Sequence, residues 1–263
     1  MKTIEKTVIN PSGRIIVIGD LHGCVQEANE LLEKCNYTSK DKVIFLGDLV
    51  DRGPDNAGCV DLAMKHECIL GNHEERHIAY EDELKKRGTT NVRSPNHVAT
   101  RMQLKPIHYD YFRSLPLYIR LPEHNAVCVH AGVFPNRKIE EQDPYHLLHI
   151  QSIKPYVTDE RGTRRANTKS MWPSKVPQHE EGWKFWTNFY EGTERIIFGH
   201  SVLDKPLITS NAIGLDGGCC FGLSLWALIL PTMQIIEVKS HDPATKRNEK
   251  MKFVVNHDVM TFS

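Results

Sequence analysis

The chain has no apolar run long enough to cross a bilayer: its longest, Leu223 to Leu230, is interrupted by Ser224 and falls well short of the roughly 20 residues a spanning helix needs. The pattern of a secretory leader is missing as well, because Met1 to Asn10 carries Lys2, Glu5 and Lys6 and no apolar segment. Net charge is absent. Lys plus Arg and Asp plus Glu number 33 each, so no long-range field draws the chain to duplex nucleic acid or to an anionic membrane, and any phosphate must be attracted locally. The 7 cysteines (Cys24, Cys35, Cys59, Cys68, Cys128, Cys219 and Cys220) are odd in number and show none of the C-x-x-C spacing of a structural zinc site. They read as reduced thiols, mostly small core hydrophobes, in a cytoplasmic setting. Repeats and low-complexity segments are lacking too, and 263 residues at 40% hydrophobic content can fill one sizeable core, so residues 1–263 read as a single domain.

What is present is one pattern used five times: a short apolar run that ends in a metal-capable residue, usually after a Gly. Ile15-Ile16-Val17-Ile18 precedes Gly19-Asp20, Val43-Ile44-Phe45-Leu46 precedes Gly47-Asp48, and Ile69-Leu70 precedes Gly71-Asn72-His73. Ala126-Val127-Cys128-Val129 precedes His130, and Ile196-Ile197-Phe198 precedes Gly199-His200. Such runs predict strands buried on both faces. Ligands of α/β sheets bind beyond strand ends, so five ends that converge on one crevice would assemble a site from distant sequence.

Between the first two runs, Val25, Ala28, Leu31, Leu32 and Cys35 fall at helical spacing and predict a crossover helix. A second helix is expected from Pro54 through Val60 to Ala63, a charged one over Glu74 to Lys86, and an aromatic-rich one over His108 to Leu115. Gly88 to Pro95 reads as a loop, and Lys154 to Glu181 as long loops over the site edge. Trp226 to Leu230 and Ile235 to Val238 flank Pro231-Thr232-Met233 and predict a hairpin.

The strand ends supply two carboxylates, one amide and three imidazoles. Asp20 and His22 stand two apart, on one side of an extended strand exit, and can share one ion. Asp48 can give one oxygen to each of two cations, with Asn72, His130 and His200 completing the ligand set of the second ion. A mixed oxygen and nitrogen set without thiolate suits two divalent transition-metal ions, manganese first, with iron or zinc as alternatives. Two such ions about 3.5–4 Å apart would clamp a phosphoryl oxygen and acidify a bridging water. Arg52 offers a planar fork for phosphate oxygens. His73 could protonate a leaving oxygen, with Asp51 fixing its tautomer. Taken singly, Asp20 or Asp48 is a turn residue or helix N-cap, and Asp51 with Arg52 a surface ion pair. The joint arrangement is what a core does not require.

At these residues the sequence resembles the phosphoprotein-phosphatase superfamily. Gly19-Asp20-Leu21-His22-Gly23, Gly47-Asp48-Leu49-Val50-Asp51-Arg52-Gly53 and Gly71-Asn72-His73-Glu74 are similar to its first three motifs. His130-Ala131-Gly132 and Gly199-His200 stand where its remaining metal histidines occur. Within that superfamily, His-Ala-Gly, Phe198-Gly199-His200 and Gly214-Leu215-Asp216-Gly217-Gly218-Cys219-Cys220-Phe221-Gly222 resemble the diadenosine tetraphosphatases and the ApaH-like phosphatases. The resemblance implies an α/β, calcineurin-like metallophosphoesterase fold, a β-sandwich core flanked by helices, and hydrolysis of phosphoesters or phosphoanhydrides. A dinucleoside polyphosphate or related nucleotide is the expected substrate, with a Ser/Thr phosphoprotein as the alternative and a non-catalytic metal-binding scaffold as a third reading. Asp51 stands where the tetraphosphatases carry Ala, which moves the chain toward the ApaH-like and protein-phosphatase pattern. A second phosphate-binding Arg, which the protein phosphatases use, has four candidates in Arg137, Arg161, Arg164 and Arg165. Trp172, Trp183, Phe185, Trp186 and Tyr190 are candidates for stacking on a base.

Overall fold

The computed structural model describes residues 5–10, 13–167, 169–171 and 182–242. Eleven strands of this region make two sheets: β1 (Glu5–Thr7), β2 (Ile15–Ile18), β3 (Lys42–Phe45), β4 (Glu67–Cys68), β5 (Tyr118–Leu121), β6 (Ala126–Val129), β7 (Arg195–Phe198), β8 (Leu207–Ile208), β9 (Ala212–Gly214), β10 (Ser224–Leu230) and β11 (Gln234–Lys239). One sheet runs β11-β10-β2-β3-β4 and the other β1-β5-β6-β7-β9-β8. All four residues of β2 are buried, as are all four of β6, which is the burial that uninterrupted β-branched runs demand. One hydrophobic cluster runs through both sheets and joins them as the two layers of a sandwich.

β2, β3 and β4 are parallel to one another, joined through α1 (Val25–Lys34) and α2 (Asn56–Ala63), so both expected crossover units are present. α1 lies against β10 and β11, and α2 against α1. α3 (Asn72–Arg87) packs on α5 (Pro106–Ser114), and α4 (Pro95–Gln103) packs on α2. α6 (Pro144–His149) follows β6. β10 and β11 pair antiparallel, which is the expected hairpin.

Several boundaries differ from the sequence reading. The second helix begins at Asn56 and not at Pro54, because the Asp55 carboxylate accepts from the Gly58 backbone N–H and caps it there. α3 starts on Asn72 itself, two residues before the expected Glu74. Ile69 and Leu70 lie beyond the short β4 rather than within it. α4 occupies a stretch that carried no helix expectation. In the expected loop region, Tyr156–Thr158 pairs with Arg164–Ala166, and Ser152–Ile153 pairs with Ser170–Met171 and Lys184–Phe185. Residue 168 and residues 172–181 of that region lie outside the described residues.

The turn leading into β3 is held by one carboxylate. Asp41 accepts from Arg14 Nη2 at 2.8 Å, Arg14 Nε at 3.0 Å, and the Thr38 backbone N–H at 2.8 Å. The hydrogen bonds from Arg14 hold its pKa well below the usual carboxylate range, against the opposing pull of burial. A depressed folded value means the stabilisation is complete above the unfolded value of about 3.9 and is lost as pH falls through the folded one. Asp41→Asn is therefore expected to lower Tm at neutral pH and to flatten the acid limb of the Tm–pH curve below about pH 4. Thermal melts at matched pH check this, and superimposable curves for variant and wild type would refute it.

Candidate metal centre

The ends of β2 and β3 in one sheet face the ends of β6 and β7 in the other. The site is thus built between two sheet edges, where the sequence pattern suggested one common edge. Asp48 is the hub. Its Oδ2 lies 3.5 Å from His22 Nε2 and 3.8 Å from His73 Nε2, and its Oδ1 lies 3.3 Å from His130 Nε2. His22, Asp48 and His73 form one group with the spacing of a metal site, and Asp48, His130 and His200 form another. Asn72 stands beside the second group: its side-chain oxygen is 2.9 Å from His130 Nε2 and 3.1 Å from His200 Nδ1. Turned over, the same amide would place its nitrogen 2.9 to 3.2 Å from His130 Nε2, His200 Nδ1 and both oxygens of Asp48, the orientation that the protein's own hydrogen bonds satisfy, whereas a bound cation would take the oxygen.

Asp20 ties the sheets together, both of its oxygens lying 3.0 Å from the His200 backbone N–H. Gly199 makes this approach possible, since a Cβ there would collide with the Asp20 carboxylate. Among the described residues, the structure brings Asp20, His22, Asp48, Asn72, His130 and His200 into one buried cluster.

Two imidazoles are aimed by the backbone. His22 Nδ1–H donates to the Val50 carbonyl and His130 Nδ1–H to the Leu46 carbonyl, each at 2.7 Å, which leaves Nε2 of both rings facing the hub. The Asp48 carboxylate also accepts the His73 backbone N–H at 2.9 Å, from the first turn of α3, where the helix dipole favours an anion. His22, Asp48, Asp51, Arg52 and His200 all adopt the left-handed backbone region, with φ of 45°, 48°, 72°, 73° and 64°. Non-glycine residues hold that conformation only where the surroundings over-determine it, as at functional sites.

The charges suit cation capture. Burial, reinforced by Arg52, keeps His22 neutral, and burial with His130 does the same for His200. Burial works to raise Asp48, but His130 and His73 overcome it and hold the group ionised. Burial and the nearby Asp216 push Asp20 well up, while His130, despite burial, is pushed up to about 10 by Asp48. A cation entering here would displace those two protons, so its binding is pH-dependent.

Beside the hub lies a second array that was only half legible. His73 Nδ1–H donates to Asp51 Oδ2 at 2.6 Å, and His77 Nε2–H donates to Asp51 Oδ1 at 2.8 Å. His97 Nε2 is 3.6 Å from the same carboxylate, and Arg76 Nη1 is 3.4 Å from His73 Nδ1. His77 was findable, standing one helical turn after His73. His97 arrives on α4 and had no local signal. Arg52 is exposed, with its guanidinium carbon 5.2 Å from the Phe221 ring centre and one nitrogen against His22 Nε2.

The four candidate arginines have other partners or exposure. Arg137 lies over Phe134, Arg164 over Tyr156, Arg165 pairs with Asp159, and Arg161 is exposed. Phe185 and Trp186 are core, packed on Phe198, so neither offers a stacking surface. Trp183 and Tyr190 are half-buried, and Trp172 lies outside the described residues. A different pair of rings, the exposed Tyr145 and the half-buried His149, lies on α6. Tyr145 stacks on His149 with ring centres 4.6 Å apart, and His149 lies near enough to His200 to depress its basicity.

Residues 13–204 match the calcineurin-like phosphoesterase family, and the chain belongs to it. It is a hydrolase of the metallophosphoesterase class, whose members work with divalent metal ions. Over 251 residues it is 26% identical to a bis(5'-nucleosyl)-tetraphosphatase PrpE, asymmetrical, of Oceanobacillus iheyensis, covering 88% of this chain and 94% of that protein. It is also 26% identical to a symmetrical bis(5'-nucleosyl)-tetraphosphatase of Shewanella sediminis, covering 80% and 93%. A crystal structure provisionally described as a diadenosine tetraphosphatase superposes with a TM-score of 0.71 at 27% identity, covering 90% of this chain and 98% of that one.

Proposed function

We propose that this phosphoesterase cleaves the phosphoanhydride bridge of dinucleoside polyphosphates, with Asp20, His22, Asp48, Asn72, His130 and His200 holding two divalent ions, manganese foremost. The observation that carries the reading is Asp48, one ionised carboxylate set between two imidazole groups on opposite sheets. The ions, when bound, supply Lewis acidity and an activated water. Arg52, exposed at the rim over Phe221, presents two parallel N–H donors to phosphate oxygens. With Nδ1–H committed to Asp51, His73 turns Nε2 toward the hub, where the imidazolium, its second proton on Nε2 and its charge balanced by Asp51 and Asp48, can hand that proton to the leaving phosphate oxygen. The names of the relatives support a nucleotide substrate, and the stacked Tyr145–His149 pair supports a base-binding surface beside the centre. The 7 free thiols support a reducing, cytoplasmic setting.

Incubation with diadenosine tetraphosphate and manganese, followed by nucleotide chromatography, tests the substrate. ATP with AMP marks asymmetrical cleavage, and two ADP mark symmetrical cleavage. If p-nitrophenyl phosphate is hydrolysed but the dinucleotide is untouched at high enzyme concentration, the dinucleotide reading is wrong. Faster turnover of a phosphoserine peptide would assign the site to phosphoproteins instead.

Tyr145→Ala is expected to raise KM for the dinucleotide by roughly 5- to 100-fold, the range set by base–aromatic stacking of about 1–3 kcal/mol. Turnover of p-nitrophenyl phosphate should stay unchanged. Equal losses on both substrates would remove Tyr145 from base recognition.

A further inference from the structure

The cysteines read as scattered core filler are in part gathered. Cys24 immediately precedes α1 and makes no capping hydrogen bond with its thiol, Glu27 lies in the first turn, and Cys219 stands on the short helical turn Cys219–Phe221. Their sulfur and carboxylate ligand atoms all lie within 4.8 Å of one another, and all three residues are buried, at 4%, 6% and 1% exposure. They line a cavity of about 270 Å³ whose wall also includes Cys220, Arg52 and His241. Glu27 is already oriented, its Oε1 accepting the His241 backbone N–H at 2.9 Å.

We propose that Cys24, Glu27 and Cys219 form a third cation site, separate from the two-metal centre, that takes one soft divalent ion such as Zn²⁺ or Cd²⁺. The donor set is two thiols and one carboxylate, and thiolate selects soft d¹⁰ cations over manganese, magnesium and calcium. Three protein ligands facing an open cavity leave room for a fourth donor, which suits tetrahedral zinc. On binding, each thiol passes its proton to solvent and the sulfur takes the ion in its place, so no oxidant or reductant is involved. Sequence spacing could not show the site, because Cys24 and Cys219 are brought together by the pairing of β10 with β2 and the packing of α1 on β10 and β11. Its occupancy would fasten the residue after His22-Gly23 to the turn that carries Phe221, on which Arg52 rests.

The test uses the full chain loaded with manganese and titrated with Cd²⁺, read by the ultraviolet sulfur-to-cadmium charge-transfer band. The centre of Asp20, His22, Asp48, Asn72, His130 and His200 has no thiol, so that band reports binding at sulfur and not at the centre, whatever becomes of the substrate assignment, and the variants assign it among the thiols. The expected result is a band that saturates at one Cd²⁺ per chain and is abolished by Cys219→Ser, while that variant keeps wild-type hydrolysis with manganese. Glu27→Gln should keep the band but weaken Cd²⁺ binding by roughly 10-fold or more, the scale of losing one oriented donor. Cys35→Ser, altering a thiol outside this cavity, should leave the titration unchanged. No band in the wild type overturns the proposal, as does a band that survives Cys219→Ser unaltered. Loss of two thiols to a disulfide with no band overturns it too. Should Cys219→Ser fail to fold, Glu27→Gln with wild-type Cd²⁺ affinity overturns it alone.

Discussion

Asp48→Asn is expected to lower kcat/KM by roughly 10³-fold or more, because several kcal/mol of metal-borne transition-state stabilisation depend on one carboxylate and each 1.36 kcal/mol is a factor of ten. Bound metal should fall below two ions per chain in the same preparation. The substitution isolates charge from shape. Asparagine can still accept the His73 backbone N–H that Asp48 Oδ1 accepts at 2.9 Å, so the start of α3 keeps its anchor. What is lost is the anion between His22, His73 and His130. Metal analysis by plasma mass spectrometry, beside steady-state kinetics, checks both. A variant that keeps two ions and wild-type turnover would show that the hub has been misplaced.

His73→Asn should act differently. Turnover is expected to fall by roughly 10²- to 10⁴-fold, the scale for removing a general acid, while metal content stays at the wild-type level. The loss should grow with the basicity of the leaving group, since a poor leaving oxygen needs the proton most. An alkyl phosphate should therefore suffer more than p-nitrophenyl phosphate. The geometry behind this is the 2.6 Å bond from His73 Nδ1 to Asp51, which points Nε2 toward the hub. Burial lowers the basicity of His73, while Asp48 and the hydrogen bond to Asp51 pull the other way and favour the imidazolium that a general acid must be. A uniform loss across leaving groups, or a parallel loss of metal, would move His73 from proton transfer to support of the metal centre.

The centre was legible in the sequence where the chain announces itself locally. A β-branched run must be buried and a Gly after it permits a sharp exit; Asp20, Asp48 and His200 each follow such an exit, and His130 follows its run directly. α1 was legible for the same reason, its apolar stripe having a period that only one secondary structure satisfies. The elements that were missed lack such marks. β5 alternates too briefly to stand out, and α4 exposes most of its surface and buries only Thr100, so little periodicity betrays it. Tertiary packing alone carries His97 to Asp51. Phe185 and Trp186 show the converse error, for an aromatic cluster in sequence signals bulk and not where that bulk is placed.

Glu74, the last residue of the third motif, touches no partner of its own kind. Its two oxygens accept four backbone N–H groups, those of Asp48, Leu49, Val50 and Gly71, at 2.9, 2.8, 3.2 and 3.0 Å. One buried side chain thus rivets the bend that carries Asp48, Asp51 and Arg52 to the helix that carries Asn72 and His73. Those five residues cannot drift apart one at a time. The distances that the proposed pair of cations would require are therefore set when the chain folds, so the ordering cost is met at folding rather than at loading.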